Sequence, residues 1–206
     1  MTYLFQVLNG IGLGMLYFLL AVGLSIIFGL LQFVNFAHGA FYLLGAYLTY
    51  DLVERGMSFW LAMPLAALIV AIVAGVTEAV LLRRIYKLPH TFHILVTVGI
   101  ALFIQELVII LWGPLGGNVS APDGLNGVVI WGDFIYPKYR LFTIAFTAVL
   151  ALALYWALER TRLGAIVRAG SESTENMALL GYDTLRINTV VFAAGAGLAG
   201  LAGGLV

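Results

Sequence analysis

Apolar residues run through this chain in long unbroken stretches rather than in alternating or one-sided patterns. The stretches lie at about Phe5 to Leu30, Gly39 to Val53, Phe59 to Leu82, Phe92 to Trp112, Leu141 to Leu158 and Ile187 to Val206. Crossing the hydrocarbon core of a bilayer takes about 20 apolar residues. The first two stretches contain no acidic or basic side chain before Asp51 except His38, so they read as two crossings and not as one cleavable signal. The alternation of an outer-membrane barrel strand is missing. The pattern predicts an all-α fold, a polytopic transmembrane bundle of about six helices forming a single domain over residues 1–206.

Composition agrees and removes several function classes. Of 206 residues, 63% are hydrophobic and only 10% charged, too little charge to cover a water-soluble fold of this size. Ten Lys and Arg balance ten Asp and Glu, which leaves no basic field for a nucleic acid. With no Cys, disulfide frameworks, thiolate catalysis and Cys-based zinc sites are excluded. The three His are His38, His90 and His93, and no carboxylate near them in sequence completes a metal site, so no cofactor is expected. No G-x-x-x-x-G-K-[ST], G-x-S-x-G or H-E-x-x-H occurs.

Seven of the ten basic residues fall in two connections, Arg83, Arg84 and Lys87 after the third run and Arg160, Arg162, Arg168 and Arg186 after the fifth. The positive-inside rule makes those connections cytoplasmic and puts the N-terminus outside. The first cytoplasmic turn, Leu31 to Gly39, is unusual because it carries no Lys, Arg, Asp or Glu. Its Asn35 and His38 either cap helix ends or belong to backbone tucked against protein at membrane depth, a candidate part of a translocation path. On the outer side, Pro114, Pro122 and Pro137 with the pairs Asp123-Gly124 and Asn126-Gly127 are turn chemistry, and Val128-Val129-Ile130 between them predicts a short strand. This outer cap either receives a partner protein or only connects.

The longest polar passage runs from Glu159 to Gly181. Ser171 is placed to cap a short helix with Glu172 and Glu175 near its positive end, and Gly181 to stop it. Met177, Leu179 and Leu180 would give that helix apolar surface, either for a soluble partner or for the headgroup layer. Two acids lie inside apolar runs. Glu78, close to Arg83 at the cytoplasmic edge, reads as a local pair or a snorkelling side chain. Glu106 precedes Trp112 by six residues, about 9 Å along a helix. At that depth a carboxylate should face protein or water, as part of a translocation path or in a hydrogen bond with Gln105. GxxxG spacings at Gly10 to Gly14 and Gly200 to Gly204 permit close helix packing.

Several of these pieces together resemble one family, the inner-membrane permeases of bacterial ABC importers for branched-chain and other hydrophobic amino acids. The resemblance rests on Asn35-Phe36-Ala37-His38-Gly39-Ala40 with Gly45-Ala46-Tyr47, and on Leu82-Arg83-Arg84-Ile85-Tyr86 with His90 and Leu95-Val96-Thr97-Val98-Gly99. Gln105-Glu106-Leu107, Trp112-Gly113, Arg168-Ala169-Gly170-Ser171-Glu172, Leu180-Gly181 and the small-residue run Ala193 to Gly204 complete it. It implies a permease subunit in the bacterial inner membrane, paired with a second, similar permease, above two cytoplasmic ABC ATPases and below a periplasmic substrate-binding protein. It also implies a coupling helix within Arg168 to Gly181, with Arg168, Ala169, Glu172, Glu175, Asn176, Leu180 and Gly181 as the ATPase contact. Tyr182 departs from the Ile or Val usual after Leu-Gly. Family members continue through further membrane segments, so the resemblance implies a domain incomplete at Val206. Urea or short-amide transport within the family is the near alternative. A self-contained secondary transporter or channel is the distant one.

Overall fold

A computed structural model of the chain describes residues 2–114, 116, 117, 119, 121, 122, 124–131 and 134–206. Helix α1, Thr2–Leu31, is 30 residues long. At 1.5 Å per residue it reaches about 45 Å, more than the hydrocarbon thickness. After an irregular turn comes α2, His38–Glu54. A continuous rod follows, made of α3, Phe59–Thr77, a π-helical turn at Glu78–Leu82 and the short α4, Arg83–Ile85. Helix α5 spans His90–Trp112. Strands β1, Val128–Trp131, and β2, Phe134–Pro137, form an antiparallel hairpin. Then come α6, Lys138–Arg160, α7, Arg162–Glu172, α8, Thr174–Leu179, and α9, Thr184–Gly204.

Five helices, α1, the α3–α4 rod, α5, α6 and α9, are long and apolar enough to cross a membrane. The chain is an all-α, multi-pass membrane protein. The sixth expected crossing is α2, and it differs from the others. Its 17 residues span about 25 Å, and it lies among α3, α5 and α9 with His38, Ala40, Phe41, Leu44, Gly45 and Thr49 buried. Surrounded by protein, it needs no complete apolar sheath.

Glycine determines how closely α9 enters the bundle. A Cβ on Gly45 of α2 would run into the backbone of Gly200, and one on Gly203 into the carbonyl of Tyr42. Against α1, a Cβ on Gly23 would sit 2.6 Å from the carbonyl oxygen of Gly195. The second GxxxG spacing is therefore buried in helix contacts. The first is not, because Gly10 and Gly14 face open space.

One end of the bundle is tied by the hairpin. Tyr136 of β2 donates to Asn9 Oδ1 of α1 at 3.2 Å, Arg140 also donates to that oxygen, and Tyr139 donates to the Leu205 carbonyl at 3.0 Å. The expected strand at Val128-Val129-Ile130 is present, and it is paired with β2. Gly124 and Gly127 take positive φ as turn glycines, while Asp123 lies outside the described residues. The opposite end collects the Leu31–Gly39 turn, the Arg83–Lys87 connection and α7–α8. Both basic connections thus share one end, as the charge pattern predicts.

Candidate functional site

The polar segment after α6 folds into two helices rather than one. Thr161 caps α7 by accepting from Gly164 N at 3.1 Å. Gly164 and Gly170, which argue against a helix by propensity, stand where a side chain has no room: a Cβ on Gly164 would strike the Leu158 carbonyl, and one on Gly170 would meet Leu30 Cδ1 at 2.5 Å.

The cap of the second helix is Ser173, whose Oγ accepts from Asn176 N at 3.1 Å. This corrects the expectation for Ser171, which lies inside α7 and donates to the Arg168 carbonyl at 2.7 Å. Glu172 ends α7 and only Glu175 sits in the first turn of α8. Gly181 stops α8 with φ +85°, while Gly181 N and Tyr182 N donate to the carbonyls of Ala178 and Met177. That is the Schellman arrangement, which glycine adopts without steric cost.

Met177 is the one α8 side chain turned inward, 3% exposed beneath Gly170 and Leu30. Leu179 and Leu180 stand out at 82% and 77% exposure. Arg168, Ala169, Glu172, Glu175, Asn176, Leu180 and Gly181 are all exposed on this segment. Arg168 also donates to the Leu158 carbonyl and lies 3.7 Å from Glu159, fastening α7 back to the end of α6. The segment is a held platform bearing an apolar tip.

Asn35 and His38 come together, buried, at the inner turn. Asn35 Oδ1 accepts from Ala37 N at 3.1 Å, and the Asn35 carbonyl accepts from His38 N at 3.1 Å. These bonds make a tight local turn before α2, so Asn35 shapes the helix entrance. Gln32 completes the bend in the left-handed region, φ 57°, with its amide donating to the Gly29 carbonyl at 2.6 Å. His38 reaches elsewhere: its Nε2 lies 3.1 Å from the Leu20 carbonyl of α1, and its ring lies against Gly23. The imidazole therefore bridges α2 to α1 beside the α1–α9 contact. Asn35 Nδ2 and His38 Nδ1 have no hydrogen-bond partner among the described residues.

A second polar cluster lies at the same end, where sequence showed only an acid near Arg83. Glu78 is fully buried in the π-helical turn. Its Oε1 accepts from the Tyr86 hydroxyl, and its Oε2 accepts from Thr189 Oγ1 of α9 at 2.5 Å. Arg83 Nη2 is 3.6 Å from the same carboxylate and donates to Thr189 Oγ1 at 2.6 Å. Burial, and then the bond to Glu78, raises the Tyr86 phenol above its ordinary range, so it stays protonated and keeps donating. The Glu78–Arg83 pair is as expected, but the carboxylate does not snorkel: it locks the α3–α4 rod to α9. A π-turn next to a buried carboxylate was the only local sign, and it is invisible in sequence.

A cavity of about 330 Å³ opens beside this cluster, walled by Leu31, Gln32, Phe33, His90, His93 and Asn188. The His93 ring stacks on Phe33, with centroids 4.7 Å apart. Among the described residues no group of three or more His, Cys, Asp and Glu converges as a metal site would require.

Glu106 is far from all of this. It is exposed on α5, beside an exposed Gln105, with no hydrogen-bond or ion-pair partner among the described residues. Neither the inner turn nor the coupling segment approaches it.

Comparison with known proteins agrees with the architecture. The family model for branched-chain amino acid transport system permease components matches residues 6–206. The chain is 28% identical over 99% of its length, and 70% of the relative's, to the high-affinity branched-chain amino acid transport system permease protein LivH of Salmonella typhimurium. It is 29% identical to BraD of Pseudomonas aeruginosa, covering 97% of this chain and 69% of that one. The permease protein LivM of Salmonella typhimurium is 28% identical over 93% of this chain and 50% of its own length. No solved structure matches.

Proposed function

Because the chain belongs to the family of branched-chain amino acid transport permease components, we propose that it is the membrane-spanning subunit of an ATP-binding-cassette importer that carries branched-chain amino acids across the bacterial inner membrane. The family match over residues 6–206 is the observation that carries this reading. The basic end faces the cytoplasm and the hairpin end faces the periplasm.

The chain catalyses nothing itself. Hydrolysis takes place on two cytoplasmic ATPases, a second permease of the same fold completes the pathway, and a periplasmic binding protein delivers substrate over the hairpin. Helices α7 and α8 are the coupling element. The exposed Leu179 and Leu180 suit an apolar cleft in the ATPase, and Arg168, Glu172, Glu175 and Asn176 suit its polar rim. ATP binding shifts the permease between states only as far as the ATPases bind one state more tightly, so the rigidity of this contact sets the coupling. Asn35 and His38 line the inner end of the path when the turn opens.

Reconstituted transport tests the reading. Proteoliposomes holding the whole system should accumulate leucine, isoleucine or valine only with ATP. Leu180→Asp should leave the chain inserted and lower substrate-stimulated ATP hydrolysis about tenfold. Accumulation driven by an ion gradient without ATPases would overturn the proposal.

A further inference from the structure

The cavity of about 330 Å³ at the basic end takes its wall from six separate segments. Leu30 of α1, Phe33 of the inner turn, Leu88 before α5, His93 of α5, Thr174 of α8 and Asn188 of α9 all contribute. Small-molecule sites typically enclose about 300–1,000 Å³, so this one suits a molecule of amino-acid size better than a nucleotide or a peptide.

Two side chains in that wall are buried and unsatisfied. His93, 5% exposed, completes no hydrogen bond through either ring nitrogen among the described residues, the Ile85 carbonyl approaching the ring too loosely to make one. Asn188, 9% exposed, leaves its Oδ1 without a partner among the same residues. Buried polar groups are normally paired, so these two call for a ligand.

The wall selects the kind of ligand. No Lys, Arg, Asp or Glu lines it, so an isolated phosphate would meet no cation and a metal ion no carboxylate. A fitting molecule carries its own counter-charge. For an anionic group there is the first turn of α5, which has no side-chain cap and whose His90 and Thr91 N–H groups have no acceptor among the described residues. The His90 and His93 rings stand there, with centroids 5.8 Å apart. Asn188 Oδ1 is an acceptor suited to an ammonium, and Leu30, Phe33 and Leu88 make an apolar side. Carboxylate, ammonium and apolar side chain in one small neutral molecule describe an α-amino acid.

We propose that this cavity is a cytoplasm-facing regulatory site for a free α-amino acid with a branched apolar side chain. The carboxylate sits at the start of α5 against the imidazoles, and the ammonium donates to Asn188 Oδ1. Because Thr174 belongs to the coupling element and Phe33 to the inner turn, an occupied cavity fastens α8 to α5 and α9 and opposes the shift that the ATPases drive. Uptake then slows as amino acid accumulates inside. The proposal rests on the reading of the chain as a branched-chain amino acid importer subunit.

Proteoliposomes holding the whole system, with ATP trapped inside and binding protein outside, provide the test. Preloading the lumen with millimolar leucine should lower the initial rate of labelled leucine uptake about fivefold. Leucinamide, which lacks the carboxylate, should not. Leu88→Trp, which fills the cavity, and Asn188→Leu should each abolish the inhibition while uptake into unloaded vesicles stays near wild type. Leucine should also raise the unfolding temperature of the purified permease–ATPase complex without binding protein, and should do so in neither variant.

Uptake that ignores internal leucine, with no thermal shift, would remove the site and leave the transport reading standing. Inhibition undiminished in both variants, or equal for leucinamide, would also refute it. A leucine-dependent thermal shift lost in both variants, in a system that accumulates no branched-chain amino acid, would support the binding site and defeat the transport reading.

Discussion

Glu78 and Glu106 confront the same difficulty, a carboxylate within a membrane-spanning helix, and the chain meets it in two ways. Glu78 is enclosed. Tyr86 and Thr189 donate to it, Arg83 stands beside it, and its bonds join helices more than a hundred residues apart in sequence. Glu106 is left exposed on an outward face with no partner among the described residues. A carboxylate satisfied at home is part of the fold. One left exposed adds nothing to the packing of the described residues.

This contrast can be broken in order of effect. Glu78→Ala should be the most damaging substitution, since it leaves Arg83, Tyr86 and Thr189 without their shared acceptor. A loss of about 3 kcal/mol is expected, read as a lower unfolding temperature of the detergent-purified chain. An unchanged transition would show that the cluster only fills space.

Gly45→Leu, which drives a side chain into the Gly200 backbone, should cost about 2–3 kcal/mol in the same measurement. The equivalent change at the open Gly99 should leave isolated-chain stability within about 0.5 kcal/mol. Thr161→Ala, removing the α7 cap, is expected to cost about 1 kcal/mol, seen as faster proteolysis of the segment after α6.

Smallest of all, Glu106→Gln should not move the unfolding temperature of the isolated chain by more than the equivalent of about 0.5 kcal/mol. Were Glu106→Gln as destabilising as Glu78→Ala, the distinction between the two acids would collapse.

The membrane spans were legible because an unbroken apolar run has one structural meaning when it is 20 residues long. The partners of Glu78 were not. Sequence shows Arg83 five positions away, but Thr189 is 111 positions away and is brought close only by the packing of α9 against α3. Ser171 and Ser173 illustrate a different limit. Each is a serine with an acid one or two residues after it, and either could cap; the choice fell to Ser173 because Gly170 holds α7 against Leu30 through residue 172. Helix α7 was hidden for a related reason: its glycines look like breakers until their neighbours are known. For Glu106, sequence gave the depth but not the compass direction, which depends on which side of α5 meets α2.

The π-helical turn makes the α3–α4 rod unevenly sensitive to length. Over Glu78–Leu82 the ladder closes on the fifth residue instead of the fourth, so this stretch holds one residue more than an α-helix would use. Deleting Val80 would let the ladder close normally without shortening the rod by a turn. The residues downstream would keep their directions, leaving Arg83 and Tyr86 on the face they share with Glu78 and α9, whereas the same deletion within the regular α3 would turn them by about 100°. In this rod a codon lost at the π-turn would be absorbed locally, while one lost in α3 would act as a twist that leaves the hydrophobic span intact and unpicks the joint at its cytoplasmic end.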